Sequence, residues 1–105
     1  MQINISTRHG HLGQQTQENI VEKVGKLRRF NERLTGVDVT LDMEQRDSFA
    51  VEMRISAEHT HDFVANDVSS NVRAAVDGTI HKLEQQLRRH KEKVKGHKVT
   101  GLKHQ

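Results

Sequence analysis

Val37-Asp38-Val39-Thr40-Leu41-Asp42-Met43-Glu44 alternates apolar and polar residues without a break. Successive side chains of a strand point to opposite faces, so this stretch predicts a strand with one buried and one wet face. A polar turn over 45–48 follows, and then Phe49-Ala50-Val51-Glu52-Met53-Arg54-Ile55-Ser56 repeats the alternation. Beyond a second turn over 58–61, Phe63 and Ala65 mark a shorter strand. Three strands this close, joined by turns, pair naturally as an antiparallel meander. Upstream, Ile3 and Ile5 alternate with Gln2, Asn4 and Ser6, which predicts one more half-buried strand.

Helical spacing fills the rest. Ile20, Val24, Leu27 and Leu34, with Val21 beside them, predict a helix over about 14–34, closed by Thr35-Gly36 with Gly36 as a left-handed cap. Gly25 weakens that helix by about 1 kcal/mol relative to Ala. Val72, Val76, Ile80, Leu83, Leu87 and Val94 form the apolar stripe of a second helix. It is expected to start near Asp67 to Ser70, with Asp67, Ser69 or Ser70 as its cap, and to stop at Gly96 after Lys95. The fold class read from this order is α+β, β-α-β-β-β-α, a four-stranded sheet with two helices packed on one face. The double-stranded-RNA-binding domain has a similar order. Residues 1–95 form the domain, and 96–105 form a basic tail expected to be disordered.

Composition narrows the function. A chain of 105 residues makes one domain with one modest core. Phe30, Phe49 and Phe63 are the only aromatic residues, so Val, Ile, Leu and Met must supply that core. The chain has no Cys, which excludes disulfides and thiolate metal sites and fits a reducing compartment. No apolar run is long enough to span a membrane, and the N-terminus lacks the basic and apolar regions of a signal peptide, so a cytoplasmic location is expected. Charge is unevenly spread. Residues 81–105 hold eight Lys/Arg against two Glu, a net of +6, whereas residues 1–80 hold nine Lys/Arg against twelve Asp/Glu, a net of −3. An acidic body with a basic end points to a polyanion, most often nucleic acid.

Projection at 100° per residue places Lys82, Arg89 and Lys93 within about 40° of one another on the last helix. Gln85 and Gln86 flank that row, Arg88 lies on the opposite polar flank, and Lys91 is nearer the core edge. On the first helix Lys26 and Arg33 line up, with Lys23 and Arg29 to either side. Helices packed side by side would let these rows border one basic surface. A merely solvated face is the bland alternative, weakened on the last helix by its scarcity of acids. With no Tyr or Trp, and Phe assigned to the core, recognition through phosphates and shape is favoured over base stacking. Each phosphate contact adds a log–log salt slope of about −0.9 on a duplex and about −0.7 on a single strand. His9-Gly10-His11 and His59-Thr60-His61 are the candidate metal pairs, but both fall in expected loops, so no metal and no cofactor are assigned. No nucleophile elbow, phosphate-cradling glycine loop or pair of catalytic carboxylates appears, so no enzyme activity is expected.

Met1-Gln2-Ile3-Asn4-Ile5, Val24-Gly25-Lys26-Leu27, Ala74-Ala75-Val76-Asp77, Ile80-His81-Lys82-Leu83-Glu84-Gln85-Gln86-Leu87 and His90-Lys91-Glu92-Lys93 together resemble the ribosome hibernation-promoting factor and ribosome-associated inhibitor family, also known as sigma-54 modulation proteins. The resemblance runs from residue 1 to about 98. It implies a translation-inhibiting protein that occupies the mRNA and tRNA channel of the small ribosomal subunit in stationary phase or stress. By motif it puts Lys82, Arg89 and Lys93 on the family's rRNA-facing positions and Lys26 on its first-helix lysine. Arg88 and Lys91 complete the expected rRNA-binding set, with Lys23, Arg33, Arg73, Gln85 and Gln86 as further contacts. Two positions depart from the pattern: Gln85 replaces a usual arginine, with Arg88 one turn on, and Arg73 replaces a frequent tyrosine. The resemblance also reads the chain as a short form, without the second domain that pairs ribosomes. The expected partners are the small subunit and its rRNA, with no membrane and no small-molecule substrate, for a protein monomeric in solution. A stand-alone double-stranded-RNA-binding module and a protein-interaction or regulatory module are the alternatives.

Overall fold

The computed structural model describes the backbone of residues 1–103 and the side chains of residues 1–92. Strand β1 (Gln2–Arg8) leads to helix α1 (Gln14–Gly25), which tightens into a 3-10 turn over Lys26–Arg29. Strands β2 (Leu34–Asp42), β3 (Phe49–Ala57) and β4 (Phe63–Ser69) follow, and helix α2 (Val72–Lys103) ends the described chain. The sheet order is β1-β2-β3-β4. Strand β1 runs parallel to β2, a pairing that needs a crossover connection, here supplied by α1, and the other pairs are antiparallel.

The register explains the alternation. Ile5 pairs with Val39, Val39 with Met53, and Met53 with Ala65, so one row of side chains crosses the whole sheet on the helix side. One residue along, Ser6, Thr40, Glu52 and Asn66 make the corresponding row on the outer face. Both helices lie on the inner face. Ile20 and Val24 from α1, Leu27 from the 3-10 turn, and Ala75, Val76, Ile80, Leu83 and Leu87 from α2 bury against Val37, Val39, Leu41, Val51, Met53, Ile55 and Phe63. Thr79, the one buried polar residue among those described, donates its hydroxyl to Ala75 O at 2.8 Å, so its burial leaves no orphaned group.

Three boundaries differ from the reading of the sequence. The first helix stops at Gly25 instead of running to Leu34. Asn31 Oδ1 accepts the Arg33 N–H at 2.8 Å, a local turn that competes with helix, and Leu34 then reaches the core from β2 instead. Gly36 therefore caps nothing: it lies inside β2, where a Cβ would come 3.3 Å from Gln2 O of the adjacent strand. The last helix starts at Val72, because Asp67 and Ser69 are still paired with Val51 and Phe49 in the sheet. Asn71 is the cap, its Oδ1 accepting N–H groups of Arg73 at 2.8 Å and Ala74 at 3.3 Å. At its far end the helical backbone passes through Gly96 to Lys103. A single interior glycine costs a helix about 1 kcal/mol, and no proline follows to stop it. The side chains of Lys93, Val94 and the tail read over 96–105 lie outside the described residues.

Candidate nucleic-acid interface

Helix α2 rests on the sheet with one flank toward β4 and the other toward α1. On the β4 flank, Lys82 Nζ donates to Asn66 O at 2.7 Å and stands 3.6 Å from Asp67 Oδ1. One turn on, Gln86 Nε2 donates to Val64 O at 2.8 Å. Strand β4 is an edge of the sheet, and its outward carbonyls would otherwise face water or another strand. The two long side chains satisfy two of them. Gly78 makes this arrangement possible: a Cβ there would overlap the Asp67 carboxylate that sits beside Lys82. Arg89, three residues past Gln86, is exposed and lines a cleft with His61, Phe63, Gln86 and His90.

The α1 flank is basic but largely compensated. Lys23 Nζ lies 2.7 Å from Asp77 Oδ1, an ion pair that ties the two helices together at a partly exposed site. A cleft of about 300 Å³ runs beside it, with Lys23, Lys26 and Arg29 on one wall and Asp77, His81 and Glu84 on the other. Deeper along this flank the Arg88 guanidinium stands 5.2 Å from the centre of the Phe30 ring, a cation–π contact of about 0.5–1 kcal/mol. Its charge stays at the surface while its stem covers apolar area. Lys91 is exposed near the end of the described side chains. Arg33 lies in the turn before β2, and Arg73 in the first turn of α2. Gln85 pairs with His81 at 3.3 Å on the outer ridge of the helix.

The first-helix lysines and the row of Lys82 and Arg89, expected to border one basic surface, therefore occupy two flanks. Lys82 and Arg89 project about 100–120° from Arg88 around the helix axis. The ridge of His81, Gln85 and Glu92 runs between the two rows. Lys23 and Lys26 join the Arg88 flank, and Lys82, Gln86 and Arg89 form the other. Sequence periodicity found the rows but could not show that Lys82 and Gln86 also bond to an edge strand, since that depends on which strand is outermost. It also missed a cluster of rings. His61 and Phe63 have centroids 4.9 Å apart, Phe63 and His90 5.4 Å, and His61 and His90 6.2 Å.

The histidine pairs do not act as pairs. His59 sits in the β3–β4 turn with a φ of 63°, while His61 turns toward Phe63. At the other end of the sheet His9 Nδ1 lies 3.0 Å from Asp42 Oδ1, and the Glu44 N–H donates to the same oxygen at 3.0 Å. The hydrogen bond from His9, and then that of Glu44, hold the Asp42 carboxyl below its ordinary pKa. One ligand atom each from His9, Asp42 and Glu44 falls within 4.8 Å of the others, so these three exposed or half-exposed groups are the set among the described residues that could hold a cation. His11 is not part of it.

The sequence pattern of the family described as "Sigma 54 modulation protein / S30EA ribosomal protein" matches residues 3–95. The chain belongs to this family. Among relatives within it, a ribosome hibernation promoting factor of Salmonella typhimurium is 32% identical over 98 residues, covering 92% of this chain and all of that protein. A protein of the same name from Pseudomonas putida is 31% identical over 94 residues, with 89% of each chain covered. Two solved structures share the fold. A ribosomal subunit interface protein from Coxiella burnetii superposes with a TM-score of 0.79 at 17% identity, over 88% of this chain and 99% of that one. The N-terminal domain of Thermus thermophilus Protein Y gives a TM-score of 0.76 at 16% identity, over 86% and 99%.

Proposed function

We propose that this chain is a ribosome hibernation factor that binds the small ribosomal subunit through rRNA and blocks the mRNA and tRNA channel. The observation that carries the reading is the pair of basic rows on α2 and α1, on a member of a family whose named relatives are hibernation promoting factors. The lysines and arginines at 26, 82, 88, 89, 91 and 93 meet phosphates, with Lys23, Arg33, Arg73, Gln85 and Gln86 as further contacts. Binding of this kind needs neither a cofactor nor a catalytic group. Inhibition is steric: a folded domain of this size seated in the channel excludes mRNA and tRNA. The protein acts in the cytoplasm, where ribosomes are, and needs no second copy to do so.

Phosphate contacts make the reading measurable. About six of them would cost roughly 10³-fold in affinity between 50 and 200 mM salt. Sedimentation of the purified chain with small subunits across that range tests it. Co-sedimentation at low salt that falls steeply with salt is expected. Recovery only at the top of the gradient at low salt would refute ribosome binding. Equal affinity for any long RNA duplex would favour a general duplex binder. Binding that persists near 0.5 M salt would favour protein contacts over phosphates.

A further inference from the structure

The cleft between the start of β4 and the β4 flank of α2 has features that phosphate binding does not use. It measures about 250 Å³ and is lined by His61, Phe63, Gln86, Arg89 and His90. Phe63 is only 3% exposed and backs both imidazoles, tilted at 52° to His61 and nearly edge-on to His90 at 75°. His61 is further held by its Nδ1, 2.9 Å from Asp62 O. His61 is exposed and His90 half-buried, so part of each ring faces the cleft while its position is set from behind. Ordered, partly exposed rings beside a cation are what an unstacked base needs: a π surface and a partner for its phosphate. Arg89 supplies the cation. Gln86 spends its Nε2 on Val64 O, and among the described residues its Oε1 accepts no hydrogen bond, leaving an acceptor for an exocyclic amino group.

We propose that this cleft is a base-stacking subsite, taking one unstacked nucleobase of rRNA against His61 and His90 with its phosphate on Arg89. The proposal rests on the ribosome-binding reading and adds a non-electrostatic contact to it. The rings responsible are imidazoles, which a count of Phe, Tyr and Trp overlooks.

Stacking and phosphate contact separate in a salt titration, because a stacked base releases no counterions. The test is binding of the full chain to purified small subunits at 50–200 mM salt, for wild type, H61A, H90A, H61F/H90F and R89A. Thermal melts confirm that each variant folds; His61, being exposed, is the variant safest on that count. Loss of one stacked base predicts affinity lower by roughly 5- to 100-fold in H61A or H90A, with the salt slope unchanged. Recovery is expected in H61F/H90F. R89A should instead flatten the slope by about 0.7–0.9. Wild-type affinity in both alanine variants overturns the subsite while leaving the ribosome-binding reading intact. A flatter slope in them, without rescue by Phe, also overturns it, since the histidines would then act as charges. Failure of the wild type itself to bind small subunits overturns both.

Discussion

Lys82 is the residue at which a structural and a binding role can be pulled apart. Its ammonium is already committed to Asn66 O at 2.7 Å and lies near Asp67, with the side chain about half exposed. Replacing Lys82 with Ala removes a cation from the β4 flank and leaves one edge carbonyl to water. Replacing it with Gln removes the cation but keeps a side chain able to donate an N–H to that carbonyl, as Gln86 does at Val64 O. Water reaches this site, so the hydrogen bond is worth no more than about 1 kcal/mol. Lys82→Ala is thus expected to destabilise the fold by up to about 1 kcal/mol in a urea melt, and Lys82→Gln by less. Both should lose the same phosphate contact, flattening the log–log salt slope of small-subunit binding by about 0.7–0.9. Combining either with Arg89→Ala should flatten it by about 1.4–1.8 in total. A slope equal to wild type in both single variants would refute the idea that Lys82 meets a phosphate, and would leave it a purely structural residue. A loss of binding in Lys82→Ala alone, tracking its stability, would point the same way.

Three further outcomes are expected. Leu83→Ala, at a fully buried position on α2, should cost about 2–5 kcal/mol in denaturant unfolding, and a loss under 1 kcal/mol would contradict the packing described. Asn71→Ala should remove the α2 cap and cost about 0.5–2 kcal/mol, whereas Ser70→Ala should cost almost nothing, as thermal melts of the two would show. A carboxyl whose folded pKa is depressed stabilises above its unfolded pKa, near 3.9, and loses that contribution as pH falls through the folded value. The link from Asp42 to His9 should therefore hold at neutral pH and loosen only in strong acid. His9→Ala should move the Asp42 midpoint back up toward the ordinary value in a carboxyl NMR titration, and an unmoved midpoint would remove His9 as the cause.

The sheet was legible because its strands are half-buried. Strict alternation from Val37 to Met43 and from Phe49 to Ile55 assigns each side chain to a face, and the pairing of Val39 with Met53 repeats that assignment in space. Helix ends were less legible. Leu34 fits the helical stripe of Ile20, Val24 and Leu27 and is out of phase with the strand pattern of Val37 and Val39; the Asn31 turn ends the helical run, and a register irregularity between Leu34 and Gly36 brings Leu34 to the buried face of the sheet. Asp67 and Ser69 are good caps by type, but pairing with β3 holds them in the sheet, so the cap passes to Asn71. The basic rows were visible as periodicity. The opposite flank of Arg88 was visible in the same projection, but not that Lys23 and Lys26 join that flank, because this depends on how α1 and α2 lie side by side on the sheet. The ring cluster was hidden for a similar reason: His61 and His90 are far apart in sequence and come together only where α2 lies beside the start of β4, around Phe63.

Lys82 and Gln86 together give the β4 edge a second kind of importance. An uncovered edge strand is a template on which another chain can add itself, and repeated addition leads to insoluble assemblies. Here the insulation comes from side chains on the flank proposed to meet RNA. Positions 82 and 86 therefore answer to two demands, and substitutions that merely tune affinity there would also be paid for in solubility. Arg89, which among the described residues bonds to no edge carbonyl, is free of that constraint, and under the proposed RNA-binding reading it is the place where affinity can change without it.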